Sequence, residues 1–370
     1  MYYIIATHTS YQNGVEIHGP AHTIFNYLKE KSDKLIFIKH PLDPNTNRSK
    51  KQICRQDPVA YPPTIFPFLQ YAYEVLINTL EITRLKGKVL FIGVDPLNAL
   101  SGLLTKVLLG KRISTIYYIV DFTERRFQND LKNKMYHLID MFACKQSDQV
   151  WCVSTRIKNK KIEQGVTKDK VFFVPNSPHI RSINPQKYNG NLNCILIAQL
   201  HDCVDFAKIL EIFKITHEVI PAIRLKIIGD GKERVAFEKL VSEYGLQDCI
   251  IFMGAISHEM VLAELKDAFL GFALYTSKAS WNRYGDSMKA REYLSFGLPV
   301  IINTIPSTAD EIREADAGLV VEDIDAQRIA SFIINIVRDK TQYMNLRQNA
   351  YHLAEKNSKE LLLSNLFPDT

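Results

Sequence analysis

Short, β-branched apolar runs alternate with helix-period stretches along almost the whole 370-residue chain, and the alternation runs through twice. Tyr2–Thr7, Leu35–Lys39, Val89–Val94, Ser114–Val120, Val150–Ser154 and Val171–Pro175 read as strands. Ala21–Lys31, a stretch leading to about Arg84, 97–109, Asn129–Ser147 and Lys158–Gln164 read as helices between them. A segment rich in Pro, Asn and Ser, Pro175 to Asn191, interrupts the pattern. It then restarts, with strands at Cys194–Ala198, Arg224–Ile228, Cys249–Met253, Leu270–Tyr275 and Val300–Ile302. The intervening helices are Phe206–Thr216, Lys232–Glu243, Glu259–Lys266 and Ser287–Phe296, followed by Ala309–Arg313 and Asp325–Arg338. Near-continuous apolar strands separated by helices are the mark of parallel sheets covered on both faces. Two such series predict an α/β chain of two doubly wound, Rossmann-like domains facing one cleft, with ligands at the carboxyl ends of the strands. The polar, turn-rich segment Pro41–Gln56, with its run Arg48-Ser49-Lys50-Lys51, reads as a loop.

The length suits two domains, and 46% apolar with 23% charged residues suits full cores. No apolar run reaches membrane-spanning length, since Ser101 and Lys106 interrupt the longest, Leu97 to Gly110. Met1–Thr7 lacks a basic leader and reads as a first strand rather than a signal peptide. The six cysteines have no zinc spacing and sit in apolar contexts, as in a reduced cytoplasmic protein. The net charge of +6 is uneven: residues 1–180 hold 25 Lys and Arg against 15 Asp and Glu, a balance of +10, and the remainder holds 21 against 25. That asymmetry suits an anionic partner of the first half, and equally a solvated lysine-rich face. The basic residues are scattered and no reader motif accompanies them, so nucleic acid is not expected. The aromatic stretch Tyr61–Leu69 suits core packing or a membrane wedge.

One stretch carries more chemistry than the rest. Gly285-Asp286-Ser287-Met288-Lys289-Ala290-Arg291-Glu292 runs from a loop into a helix, and Gly297-Leu298-Pro299 turns into the strand at Val300. Ser287 is a good N-cap, and amides at a helix start, with the positive end of its dipole, suit a phosphate. Glu292 lies within the helix, where its carboxylate suits ribose hydroxyls; a solvated surface glutamate is the ordinary alternative.

An ordered series surrounds this stretch. Val174-Pro175-Asn176-Ser177 precedes the linker; then come Ile228-Gly229-Asp230-Gly231, Gly245-Leu246-Gln247-Asp248, Phe252-Met253-Gly254 and Glu292 through Ile301. In this order the series resembles the retaining nucleotide-sugar glycosyltransferases of the GT-B fold, the group 1, family 4-like set, over roughly 170–325. The likeness is weaker over 1–30 and 110–155. It implies an acceptor-side domain over 1–176, joined by a C-terminal helix at about 352–370, and a donor-binding domain over 177–351.

Carried onto this chain, the resemblance makes Glu292 the ribose ligand and gives Ser287 and Met288 the amides that cradle the distal phosphate. Lys289 adds a cation there, and Gly229 and Gly231 belong to the donor side. The family's first motif glutamate falls on Tyr284, and Asp286, two residues on, is the candidate substitute. Where the family carries Gly-Arg-Leu and then a lysine, which clamp the diphosphate, this chain has Ile197-Ala198-Gln199-Leu200-His201-Asp202-Cys203-Val204-Asp205-Phe206, with no cation until Lys208. Lys232, Lys289 and Arg283 are then the nearby cations. Asn13 to His22 resembles the family's glycine loop, with Gly19 as its donor-side glycine and Pro20 replacing another. Asp121 occupies the strand-end position that touches the sugar, with a helix N-cap as its other reading. Arg125, Arg126, Tyr136 and His8 are acceptor-side candidates, and His22 reads as a helix surface group.

The resemblance therefore implies a hexosyltransferase-type enzyme that moves a sugar from a nucleoside diphosphate such as UDP to an acceptor hydroxyl. It implies retention of configuration with no metal or other cofactor. Asp121, Lys232 and Lys289 are its expected catalytic groups. A glycan or lipid-linked acceptor of surface polysaccharide or glycolipid synthesis fits, as does a cytoplasmic chain held at the inner face of an anionic membrane. Tyr284 and the absent clamp leave open an inactive partner subunit of the same fold. A nucleotide-sugar epimerase would need an acid–base carboxylate pair with a histidine, which the sequence does not assign.

Overall fold

The structure, a computed structural model, describes residues 1–12, 15–43, 47–64, 69–178, 184–185, 187–201, 204–276 and 282–367. Asn13, Gly14, the aromatics at 65–68, and Asp202 and Cys203 lie outside the described residues. The chain divides into two compact units, Met1–Pro175 with Leu362–Thr370, and Asn176–Leu361.

The first unit runs β1 (Tyr2–Thr9), β2 (Tyr11–Gln12), β3 (Val15–Glu16), α1 (Pro20–Lys29), β4 (Leu35–Pro41), β5 (Lys50–Ile53), β6 (Val59–Ala60), α2 (Gln70–Thr83) and β7 (Val89–Val94). It continues with α3 (Pro96–Leu109), β8 (Ile113–Ile119), α4 (Asp130–Gln146), β9 (Gln149–Cys152), α5 (Thr155–Glu163) and β10 (Val171–Phe173). Its sheet has the order β10-β9-β8-β7-β1-β4-β5-β6. The strands from β10 to β4 pair in parallel, and β5 and β6 close the edge in antiparallel fashion. The segment expected to be a loop around Lys50 and Lys51 is therefore a strand next to the edge, between β4 and the two-residue β6, and the sheet is mixed. Polar strands at a sheet's margin carry no apolar alternation, so composition hides them. Ile4, Ala6, Ile36, Ile38 and Phe91 bury the sheet's centre.

The second unit comprises β11 (Asn193–Ile197), α6 (Phe206–Val219), β12 (Arg224–Ile228), α7 (Arg234–Glu243), β13 (Ile250–Gly254), α8 (His258–Lys266), β14 (Leu270–Ala273) and α9 (Met288–Ser295). Then follow β15 (Val300–Asn303), α10 (Thr308–Glu314), β16 (Gly318–Val321), α11 (Ala326–Arg338) and α12 (Lys340–Lys356). The last helix, α13 (Lys359–Leu366), is separate from α12, so the expected helix over 352–370 is broken after Lys356. The sheet, β13-β12-β11-β14-β15-β16, is parallel throughout.

Both sheets reverse their winding beside the first strand of the unit. In the first unit β4 lies on one side of β1 and β7 on the other; in the second, β12 lies on one side of β11 and β14 on the other. At such a reversal the loops leave in opposite directions and open a crevice at the strands' carboxyl ends. In the first unit those ends hold His8 and Asp95. In the second they hold Ala198 and Leu274.

Candidate functional site

A cavity of about 700 Å³ opens at the β11/β14 reversal. Ala198 and Gln199 following β11 and Leu274 and Tyr275 following β14 form part of its wall, and Lys232 and Lys289 bring the cations. Helix α9 supplies Lys289 from its first turn. The helix is docked by Tyr293, whose ring lies where a Cβ on Gly271 would sit, 2.3 Å away. Tyr293 Oη also accepts from the Ile197 amide at 2.9 Å, joining the helix to the end of β11. Gly229 and Gly231 shape the neighbouring turn. Gly229 has φ +132°, and a Cβ there would lie 1.9 Å from the Ala198 carbonyl oxygen; one on Gly231 would lie 2.4 Å from that of Leu200. Both glycines thus hold the turn against the cavity wall, a packing role for two residues expected on the donor side. Lys232 precedes α7 rather than opening it, because the helix begins at Arg234. His201 also faces the cavity, and its buried Nδ1 has no partner among the described residues.

The start of α9 is built from buried charge. Ser287 caps it, its Oγ accepting from the Ala290 amide at 3.3 Å and lying 2.8 Å from Tyr275 Oη. The Ser287 amide itself donates to Thr308 Oγ1 at 2.8 Å, so it is not free to cradle a phosphate as expected. The Met288 amide has no partner among the described residues. Asp286, the candidate sugar ligand, has a different task. Its carboxylate is 1% exposed and pairs with Arg291 at 2.9 Å. It also accepts from Thr308 Oγ1 at 2.6 Å and the Asn176 amide at 2.8 Å. A carboxylate so enclosed and so fully bonded cannot turn to a ligand without stranding the guanidinium. Arg291 reaches Glu311 as well, at 2.5 Å. Burial alone would lower the Arg291 guanidinium, and the two carboxylates more than reverse this and raise it. Glu292 is half-buried one turn beyond Lys289, and its Oε1 accepts from His258 Nε2 at 2.8 Å. It stands beside the cavity rather than in its wall.

In the first unit, the end of β1 places His8 between two carboxylates. Nδ1 lies 2.6 Å from Asp95 Oδ2, and Nε2 lies 3.0 Å from Glu74 Oε2. Burial opposes the charged imidazole, but Asp95 and Glu74 outweigh it and raise its pKa to about 10. His8 is therefore a partly buried cation with both ring nitrogens engaged, and not the open acceptor group expected. Asp95 caps α3, its Oδ1 accepting from the Leu97 and Asn98 amides, and it does so at φ +80°. A non-glycine residue in that region is strained and is held there by its surroundings. Asp121 follows β8 with no helix behind it, so it caps nothing; its carboxylate meets Arg126 at 2.8 Å. The Arg126 guanidinium also lies 5.1 Å from the Tyr136 ring centre. Arg125 is exposed and pairs with Asp130 at 3.0 Å. Gly19 is the N-cap of α1, and a Cβ there would meet open space. His22 is buried, not at the surface, with Nε2 2.7 Å from Glu16. Five cysteines are buried thiols; burial pushes Cys144 up to about 12.

Residues 185–353 match the family model for glycosyl transferases group 1. The match lies within the second unit. Among curated relatives, it is 21% identical to poly(glycerol-phosphate) alpha-glucosyltransferase of Bacillus subtilis over 54% of this chain, but it spans only 29% of that protein. It is 19% identical to N-acetyl-alpha-D-glucosaminyl L-malate synthase of Bacillus anthracis, covering 87% of this chain and 84% of that one. The structure of HepE from Anabaena in complex with UDP-glucose superposes with a TM-score of 0.69 at 13% identity, over 100% of this chain and 99% of that one. The fold is GT-B.

The diphosphate clamp that the resemblance led one to expect is absent after β11, where Gln199 and Val204 line the cavity instead. The structure also brings in groups that sequence reasoning missed: His201, Asn282 and Tyr275 at the cavity, and Glu74 and Asp95 around His8. Asp95 had a signal, since Asp-Pro directly after a buried strand is a helix cap followed by its first residue. Nothing in the local sequence marks Glu74 or Glu311 as buried partners.

Proposed function

We propose that the chain transfers a hexose from a nucleoside diphosphate donor, most simply UDP, to a hydroxyl of a glycan or lipid-linked acceptor. The observation that carries this reading is the cavity at the β11/β14 reversal with Lys232 and Lys289 in its wall. Two cations and the start of α9 can hold a diphosphate and stabilise the charge that grows on it as the sugar leaves. Glu292 keeps one carboxylate oxygen without a partner among the described residues, which suits a ribose hydroxyl. Retention is supported by the alpha configuration in the names of both Bacillus relatives, because hexoses in UDP donors are themselves α-linked. Departure and attack on one face then let the leaving phosphate take the acceptor's proton, with Asp121 on the acceptor side and no metal required. A cytoplasmic chain at the inner membrane face, acting in surface polysaccharide synthesis, completes the reading.

Calorimetric titration with UDP tests it. Glu292→Ala and Lys289→Ala are each expected to weaken UDP about tenfold, or about 1.4 kcal/mol. Unchanged affinity in both would remove the donor assignment. Tyr284 and the absence of a cation after β11 before Lys208 favour a second reading, a partner subunit without turnover. Release of UDP from UDP-hexose by the wild-type chain, absent in Lys289→Ala, decides between them.

A further inference from the structure

Helices α2, α3 and α4 pack side by side in the first unit, and each presents an apolar stripe to solvent. On α4, Leu131, Met135, Leu138 and Phe142 are all exposed, spaced four, three and four residues apart, which aligns them along one face. On α3, Leu104, Val107 and Leu108 share a face, and Val107 is 84% exposed. On α2, Leu76 and Leu80 do the same. Exposed apolar side chains repeated on three adjacent helices are the kind of clustering that marks a protein or membrane contact.

The charges on these helices are sorted. Of their four acidic side chains, Glu74, Glu81 and Asp140 are turned inward and buried, and only Asp130, in the first turn of α4, is outside. The cations point the other way: Lys132, Lys134 and Lys145 are exposed on α4, and Arg84 follows α2. The outer face is therefore apolar and cationic. A protein partner selects against lysine at the centre of an interface, whereas lysines flanking an apolar stripe can extend to lipid phosphates while the stripe enters the acyl boundary.

We propose that the α2–α3–α4 face rests on an anionic lipid bilayer, with α4 lying in the interfacial plane. This rests on the membrane location in the proposed function and names the surface that makes the contact; it does not depend on the donor assignment, because the face belongs to the first unit and the donor cavity to the second. Among the described residues no helix is long and apolar enough to cross a membrane, so the contact is one of surface adsorption.

Flotation with phosphatidylcholine vesicles, with and without phosphatidylglycerol, tests the proposal. The protein is expected to float with anionic vesicles at low salt. Lys132→Glu with Lys134→Glu is expected to lower the partition coefficient about tenfold or more, since each such lysine adds several-fold to surface binding. Met135→Glu with Leu138→Glu is expected to abolish flotation, while Val235→Glu, an equally exposed apolar site in the second unit, leaves it unchanged. Circular dichroism and UDP titration check that each variant is folded, and loss of UDP binding in the wild type would bear on the donor reading alone. Absence of flotation at low salt, or equal loss with Val235→Glu, overturns the proposal. So does a lipid-free dimer dispersed by Leu138→Glu, which would put a second protein copy on the face.

Discussion

His8 offers the sharpest quantitative prediction, because its protonation is set by two carboxylates on different elements. Its pKa is about 10 in the fold against 6.5 for an ordinary imidazole. Below pH 6.5 the folded and unfolded chains both carry the proton, and the contribution to stability is fully present. As the pH rises past 6.5 the unfolded chain releases its proton first, so stability falls by a little over 1 kcal/mol per pH unit until the folded site titrates near 10. The whole contribution is roughly 5 kcal/mol, and the site is sheltered enough for most of it to be expressed. In His8→Gln, Asp95 and Glu74 face each other without the cation, and the variant is expected to be less stable by roughly 3–5 kcal/mol near neutrality. The gap should narrow steadily as the pH rises, because the wild type alone loses the imidazolium. Urea unfolding followed by Trp151 fluorescence reads the first unit; Trp151 lies fully buried in β9. A Trp281→Phe background makes it the sole tryptophan, since the chain has two. Parallel stability curves for the two proteins between about pH 6.5 and 9.5 would refute the reasoning, because no proton would then be held by the fold.

Two further substitutions probe the second unit. Arg291→Leu leaves Asp286 and Glu311 buried without their cation and is expected to cost about 3–5 kcal/mol in chemical denaturation; Asp286→Asn with Glu311→Gln in the same background should recover much of that. A loss under about 1 kcal/mol would mean the triad is not the brace of α9. Gly229→Ala forces a Cβ against the Ala198 carbonyl at a positive φ and is expected to destabilise by roughly 2 kcal/mol or more and to weaken UDP as the cavity wall shifts. A melting temperature and UDP affinity equal to wild type would show the turn to be slack.

The long β-branched strands were legible because two-sided burial demands uninterrupted apolar residues: Val89–Val94 and Val300–Ile302 stand out against any neighbouring helix. The helix start at Ser287 was legible through its cap. The strand Lys50–Ile53 beside the sheet's edge was not, since its Lys-Lys-Gln-Ile run shows no apolar alternation. Nor was β16, whose Gly318–Val321 is too short to separate from a turn. Site residues divide along the same line. Local geometry announced Lys289 and the turn at Gly229, whereas the tasks of Asp286 and His8 depend on Arg291, Glu311, Glu74 and Asp95. Those pairings join residues 5 to 87 positions apart, and no local pattern encodes them.

The missing clamp and the buried triad bear on one another. A nucleoside diphosphate that releases its sugar gains negative charge, and a site whose stretch after β11 has no lysine or arginine before Lys208 has to meet that charge otherwise. Lys232 and Lys289 are flexible side chains, one of them largely exposed, so each alone acts as a screened point charge. Helix α9 is the stiffer element. Its first turn is held by Asp286, Arg291, Glu311 and Thr308, and its middle by Tyr293 against Gly271 and Ile197. A helix start fixed in that way keeps its dipole and the Met288 amide aimed without reorganisation, which is the condition under which such groups stabilise a developing anion most. Arg291 is therefore a positioning residue. Arg291→Lys, which keeps the charge but not the forked contacts to both carboxylates, should therefore weaken UDP more than it weakens the fold, whereas Lys232→Ala should weaken UDP and leave the fold unchanged.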